Sequence, residues 1–88
     1  MHEIEYHRQI FKDLDKIPGN FAEKVIKAIK ELAGEPFPWG YKKISGKLNA
    51  YRVRVGDYRV IYIASQQENK IRVMRVRHRK DVYRRIDF

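Results

Sequence analysis

The chain has 88 residues, enough for one domain with a modest core and too few for two. It has no cysteine, which excludes disulfides and thiolate metal clusters and suits the cytoplasm. No apolar run approaches the roughly 18 residues of a membrane span, and no signal peptide is expected. The net charge of +9 is unevenly placed: residues 1–40 carry six basic and seven acidic side chains, residues 41–88 fourteen and four. This points to a polyanion-facing surface, with a solvated face or an acidic protein partner as the blander readings.

Residues 2–7, HEIEYH, alternate and predict a short strand with Ile4 and Tyr6 on one face. Ile10, Phe11, Leu14 and Ile17 then fall at helical spacing until Pro18-Gly19 stops the helix. Asn20 is expected to cap a second helix, with Glu23 completing a capping box. Phe21, Val25, Ala28, Ile29 and Leu32 form its apolar stripe, and Gly34 is placed to end it. The stretch GEPFPWGYKKISGKLNA (34–50), broken by three glycines and two prolines, reads as loop. Its Phe37, Trp39 and Tyr41 are of a type that stacks on bases, although pinning the loop to the core is the preferred reading.

Segments 50–55, 58–65 and 70–78 read as strands separated by Gly56-Asp57 and the polar SQQENK. The closing RKDVYRRIDF is open between a helical turn and an extended tail. The expected fold is a single α+β domain over residues 1–88. An N-terminal strand and a helical hairpin precede an antiparallel three-stranded meander, with helices on one sheet face and the other face open.

A two-residue turn at Gly56-Asp57 sets Val55 opposite Tyr58, Arg54 opposite Arg59, Val53 opposite Val60 and Arg52 opposite Ile61. Alternation then sends Arg52, Arg54 and Arg59 to one face and the valines to the other. Like charges directly opposite cost a few tenths to ~1 kcal/mol, so the cluster makes sense if an anion completes it. In the third strand, strict parity groups Arg75, Arg77 and Arg79 with Ile71 and Val73, and Arg72, Met74, Val76 and His78 apart from them. Guanidiniums present rigid forks of donors that suit phosphate oxygens, which read backbone and not base identity.

No carboxylates and histidines stand at metal-ligand spacing, so neither a metal nor another cofactor is expected. His2 and His7 read as solvated, and no Ser-His-Asp set is present. Metal-free RNA cleavage stays open, in which the 2′-OH attacks the adjacent phosphate and arginines stabilise the developing charge. The acid–base candidates near the arginines are His78, Tyr83 and Lys47. Against those roles, His78 also reads as a packed or capping residue and Tyr83 as a core residue.

LNAYRVRVGDYRVIY (48–62) followed by VRHRKDVY (76–83) resembles the RelE/ParE toxin superfamily, and the RelE branch best. The leading strand, the helical hairpin and the linker KKISGKL extend the similarity over nearly the whole chain. The resemblance implies the toxin of a toxin–antitoxin pair that binds the ribosome and cleaves messenger RNA in the A site. It also implies a cognate antitoxin that wraps the toxin in a hetero-oligomer. The family's two basic hairpin positions fall on Arg52 and Arg54, its "YR" arginine on Arg59, and the arginine after the third strand on Arg79. Its C-terminal tyrosine falls on Tyr83, at a shorter spacing from Arg79 than usual.

Well-known members carry lysines at the first two positions, one of them a proposed general base. Arginine there is too hard to deprotonate for that work, so Arg52 and Arg54, with Lys47 and Arg77, are assigned to RNA binding. Arg79, Arg59, Tyr83 and His78 form the expected catalytic set. The alternatives are a ParE-like toxin that poisons DNA gyrase without nuclease activity, and a non-catalytic nucleic-acid-binding relative.

Overall fold

The three alternating segments of the C-terminal half become the centre of a sheet. The computed structural model describes residues 1–44 and 49–80. Its elements in chain order are β1 (Glu3–Tyr6), α1 (Gln9–Asp15), α2 (Gly19–Glu31), β2 (Lys42–Lys43), β3 (Ala50–Val55), β4 (Tyr58–Ser65) and β5 (Lys70–His78). The strands lie in the order β1-β5-β4-β3-β2. The meander β3-β4-β5 is antiparallel, with the hairpin register expected from the Gly56-Asp57 turn.

Three expectations need correction. The sheet is mixed: β1 pairs parallel with β5, Glu3 opposite Lys70 and Ile4 opposite Ile71. The apolar edge of β5 thereby gains a strand whose Ile4 packs on the core. Next, Lys42–Lys43 is a two-residue strand within the stretch read as loop, pairing Lys42 with Arg52 and Lys43 with Tyr51. A short lysine strand at a sheet edge discourages pairing with other chains. Finally, the capping box is absent. Pro18 is the N-cap of α2, and its carbonyl accepts from Phe21 N and Ala22 N at 2.9 Å each, which leaves Asn20 inside the first turn.

The core lies between the sheet and the helices. Ile10, Ile17, Val25, Ile29 and Leu32 meet Val60, Tyr62, Ala64, Ile71, Val73 and Val76. Phe11 and Phe21, although on the predicted stripes, are exposed and rest beside Tyr6 and Tyr58. A bulge also changes which side chains share a face. Ile61 pairs with Arg75 but Tyr62 pairs with Val73, so Met74 is the extra residue. Strict parity therefore fails along β5. Ile71, Val73 and Val76 all reach the core, while Arg72, Arg75 and Arg77 lie on the open face.

Past the end of β1, the bare edge of β5 is closed by a side chain. Asp13 of α1 is buried, and its Oδ2 accepts from Arg75 Nε at 2.8 Å and Val76 N at 3.0 Å. Its Oδ1 accepts from Arg75 Nη2 at 3.1 Å. The Asp13 hydrogen bond holds the Arg75 guanidinium even more firmly protonated than usual. Among the described residues, no helix is long and apolar enough to cross a membrane.

Candidate functional site

The open face is organised around the hairpin turn. Gly56 takes φ +61°, the left-handed value that the first position of a II′ turn requires and that glycine adopts without strain. Its carbonyl accepts from Arg54 Nε at 3.0 Å and from Arg59 Nη1 at 3.5 Å, so two guanidiniums converge on one oxygen. Arg59 Nη1 also reaches the Tyr58 carbonyl at 3.3 Å. Arg79 arrives from beyond β5: its backbone N donates to the Asp57 carbonyl at 2.7 Å, and its Nε lies 4.0 Å from Asp57 Oδ1.

Register supplies the rest. Arg54 stands opposite Arg59, and Arg59 opposite Arg77, giving a row of three arginines across β3, β4 and β5. One step along, Lys42 stands opposite Arg52 and Arg52 opposite Ile61. Arg77 Nε is buried with no acceptor among the described residues, an arrangement that costs on the order of 1–3 kcal/mol until an acceptor arrives.

Between this row and the loop after α2 runs a cleft of about 560 Å³ lined by Trp39, Gly40, Lys42, Arg52, Arg54, Gly56 and Arg59. The loop is anchored by Phe37, whose ring lies 4.9 Å from Tyr51 and 5.2 Å from Tyr41, and by the Tyr62 hydroxyl donating to the Pro36 carbonyl at 2.5 Å. Burial pushes the Tyr62 phenol well above its ordinary value, so this donor keeps its proton. Pinning therefore describes Phe37 and Tyr41 but not Trp39, which is 100% exposed.

The sequence-predicted residues divide clearly. Arg52, Arg54, Arg59 and Arg77 share the open face, and Arg79 joins them at the turn. His78 does not: it pairs with Tyr58 on the helix side, its ring edge-on to that tyrosine at 5.4 Å, and its Nδ1 accepts from Lys80 N. Lys47 and Tyr83 lie outside the described residues. Lys42 was missed as a site residue, and Trp39 was weighed for stacking but set aside in favour of pinning the loop. Glycine at the third position of Pro38-Trp39-Gly40-Tyr41 was the available signal, since a turn there leaves Trp39 at its corner. Among the described residues, no three His, Asp or Glu side chains cluster closely enough to hold a metal ion.

The comparisons agree with this geometry. Residues 4–83 match the family model of the ParE toxin of type II toxin–antitoxin systems. Toxin RelE3 of Methanocaldococcus jannaschii is 31% identical over 92% of this chain and 94% of its own length. Toxin RelG of Mycobacterium tuberculosis is 31% identical over 84% and 86%. The archaeal RelE–RelB complex of Pyrococcus horikoshii superposes with a TM-score of 0.78 at 28% identity, covering 89% of this chain and 94% of that one. With the sheet order, the arginine-bearing hairpin and near full-length coverage in hand, the chain belongs to the RelE/ParE superfamily of type II toxins, on its RelE-like branch.

Proposed function

We propose that this protein is the toxin of a RelBE-type pair and cleaves messenger RNA in the A site of the ribosome. The observation that carries the reading is the Arg54–Arg59–Arg77 row, set side by side across three strands and flanked by Arg52 and Lys42. In the reaction, the 2′-oxygen attacks the adjacent phosphorus and loses its proton. The P–O5′ bond breaks, the 5′-oxygen takes up a proton, and a 2′,3′-cyclic phosphate remains. Arg52, Arg54, Lys42 and Arg77 hold backbone phosphates, with Lys47 an additional contact. Arg59 and Arg79 stabilise the negative charge that grows on the non-bridging oxygens.

Arginine does not serve as the base, and His78 faces away from the row, so proton transfer falls to Tyr83 or to a group of the ribosome. Cleavage that survives Tyr83→Phe would assign it to the ribosome. A cognate antitoxin belongs to the same reading, because solved relatives with this fold are RelE–RelB complexes. A ribosomal target puts the protein in the cytoplasm.

Primer extension on a defined messenger, with and without programmed ribosomes, tests the proposal. Cuts within the A-site codon that require ribosomes are expected, and no cuts in either condition would overturn it. The ParE description of the matching family model favours one other reading, gyrase poisoning through protein contacts. Loss of gyrase supercoiling activity on adding the protein, without RNA cleavage, would select it.

A further inference from the structure

Trp39 is the one large side chain that the loop holds wholly in solvent, and it stands at the wall of the cationic cleft. A tight turn presents it. Tyr41 N donates to the Pro38 carbonyl at 3.0 Å, and Gly40 takes φ +88°, the third-position value of a type II turn. Phe37 and Tyr41 on either side pack against Tyr51, whereas Trp39 has no ring contact among the described residues. Lys42, Arg52, Arg54 and Arg59 line the same cleft.

A bare indole forgoes the burial that aromatic side chains normally obtain. A ligand that satisfies this cleft must bring a flat apolar ring and a negative charge a short distance from it. A single-stranded nucleotide carries both in one unit, and stacking on an aromatic face tolerates any base. We infer that Trp39 is a stacking platform for one base of the bound RNA, whose neighbouring phosphates lie on Arg52, Arg54 and Lys42. The inference rests on the reading of the arginine face as an RNA site and adds the contact that holds a base. Trp39 touches the base and not the reacting atoms, so it is a positioning residue.

Trp39 is the only tryptophan in the chain, so intrinsic fluorescence reports on this site alone. The full chain is titrated with a ten-nucleotide single-stranded RNA and with the same RNA made abasic at its central positions. Binding is also followed by anisotropy of the labelled RNA for Trp39→Ala, Trp39→Phe and Arg52→Ala across a salt series. Intact RNA is expected to quench the emission and abasic RNA to bind more weakly without quenching. Trp39→Ala is expected to weaken binding about 5- to 150-fold with an unchanged salt slope, and Trp39→Phe to recover most of it. Arg52→Ala is expected to reduce the slope itself.

Equal binding of intact and abasic RNA would overturn the inference. So would quenching by an antitoxin segment but not by RNA, which would give the indole to a protein partner. Ribosome-dependent cleavage with no Trp39 effect would sink this inference alone. A Trp39 effect without cleavage would sink the nuclease reading alone.

Discussion

At the β1–β5 end of the open face, Lys70 and Arg75 each have an acid. Glu5 stands 3.5 Å from Lys70, Glu3 pairs in register with Lys70, and buried Asp13 grips Arg75 with both oxygens. At the β3–β4–β5 end, Arg54, Arg59 and Arg77 stand opposite one another in register, and Arg52 sits beside Lys42. Both ends belong to one sheet with one pleat, so the difference lies in what the charges serve. Cations that hold elements together are neutralised within the chain. Arginines set directly opposite one another weaken the sheet by up to ~1 kcal/mol per opposed pair, which a bound polyanion offsets.

The comparison breaks most easily at Asp13. Asp13→Ala leaves the Arg75 guanidinium and the Val76 N–H without their acceptor. A loss of about 3–5 kcal/mol is expected in urea denaturation, a large share of the roughly 5–15 kcal/mol that holds a domain together. At the other end, Arg79→Ala is expected to lower single-turnover cleavage on ribosomes by about 10²–10³-fold, with its unfolding midpoint within ~0.5 kcal/mol of the parent. Full toxicity in that variant would remove Arg79 from the site.

A subtler change makes the two ends alike. Arg54→Glu puts an acid opposite Arg59, so the hairpin should gain a few tenths to ~1 kcal/mol, read as a rise of several degrees in melting temperature. The same variant should bind RNA more weakly and with a shallower salt slope. A destabilised variant would show that the arginine row is not strained by its own charge. The smallest effect belongs to Glu5→Gln. Glu5 and Lys70 are both substantially exposed, and losing their bridge should cost at most about 0.5 kcal/mol and leave cleavage unchanged.

The hairpin was legible in the sequence because its determinants are local: a Gly-Asp turn fixes the partner of every residue from Val55 back to Arg52. Strands over 50–55, 58–65 and 70–78 followed from alternation bounded by turn residues. The parallel pairing of β1 was not legible, since it joins Glu3 to Lys70 and depends on how the helices pack. Nor was the face of Arg75 and Arg77 relative to Ile71, because one bulged residue at Met74 reverses parity and no composition signal marks it. His78 illustrates a related limit. Adjacent to Arg77 in sequence, it lies across the sheet from it, so chemical suitability and nearness along the chain did not add up to a site.

Pairing the first strand with the last has a consequence in time. β1, α1 and α2 leave the ribosome early in synthesis, at about 5–20 residues per second, but β5 lies between β1 and β4 and must arrive before the sheet can close. Contacts between the two extremes of a chain form late, because closing so long a loop is slow. The arginine row is assembled from β3, β4 and β5 together, so it does not exist on the growing chain until translation has passed residue 78. The cationic row is thus complete only once the last of its three strands has been made, a delay set by strand order alone.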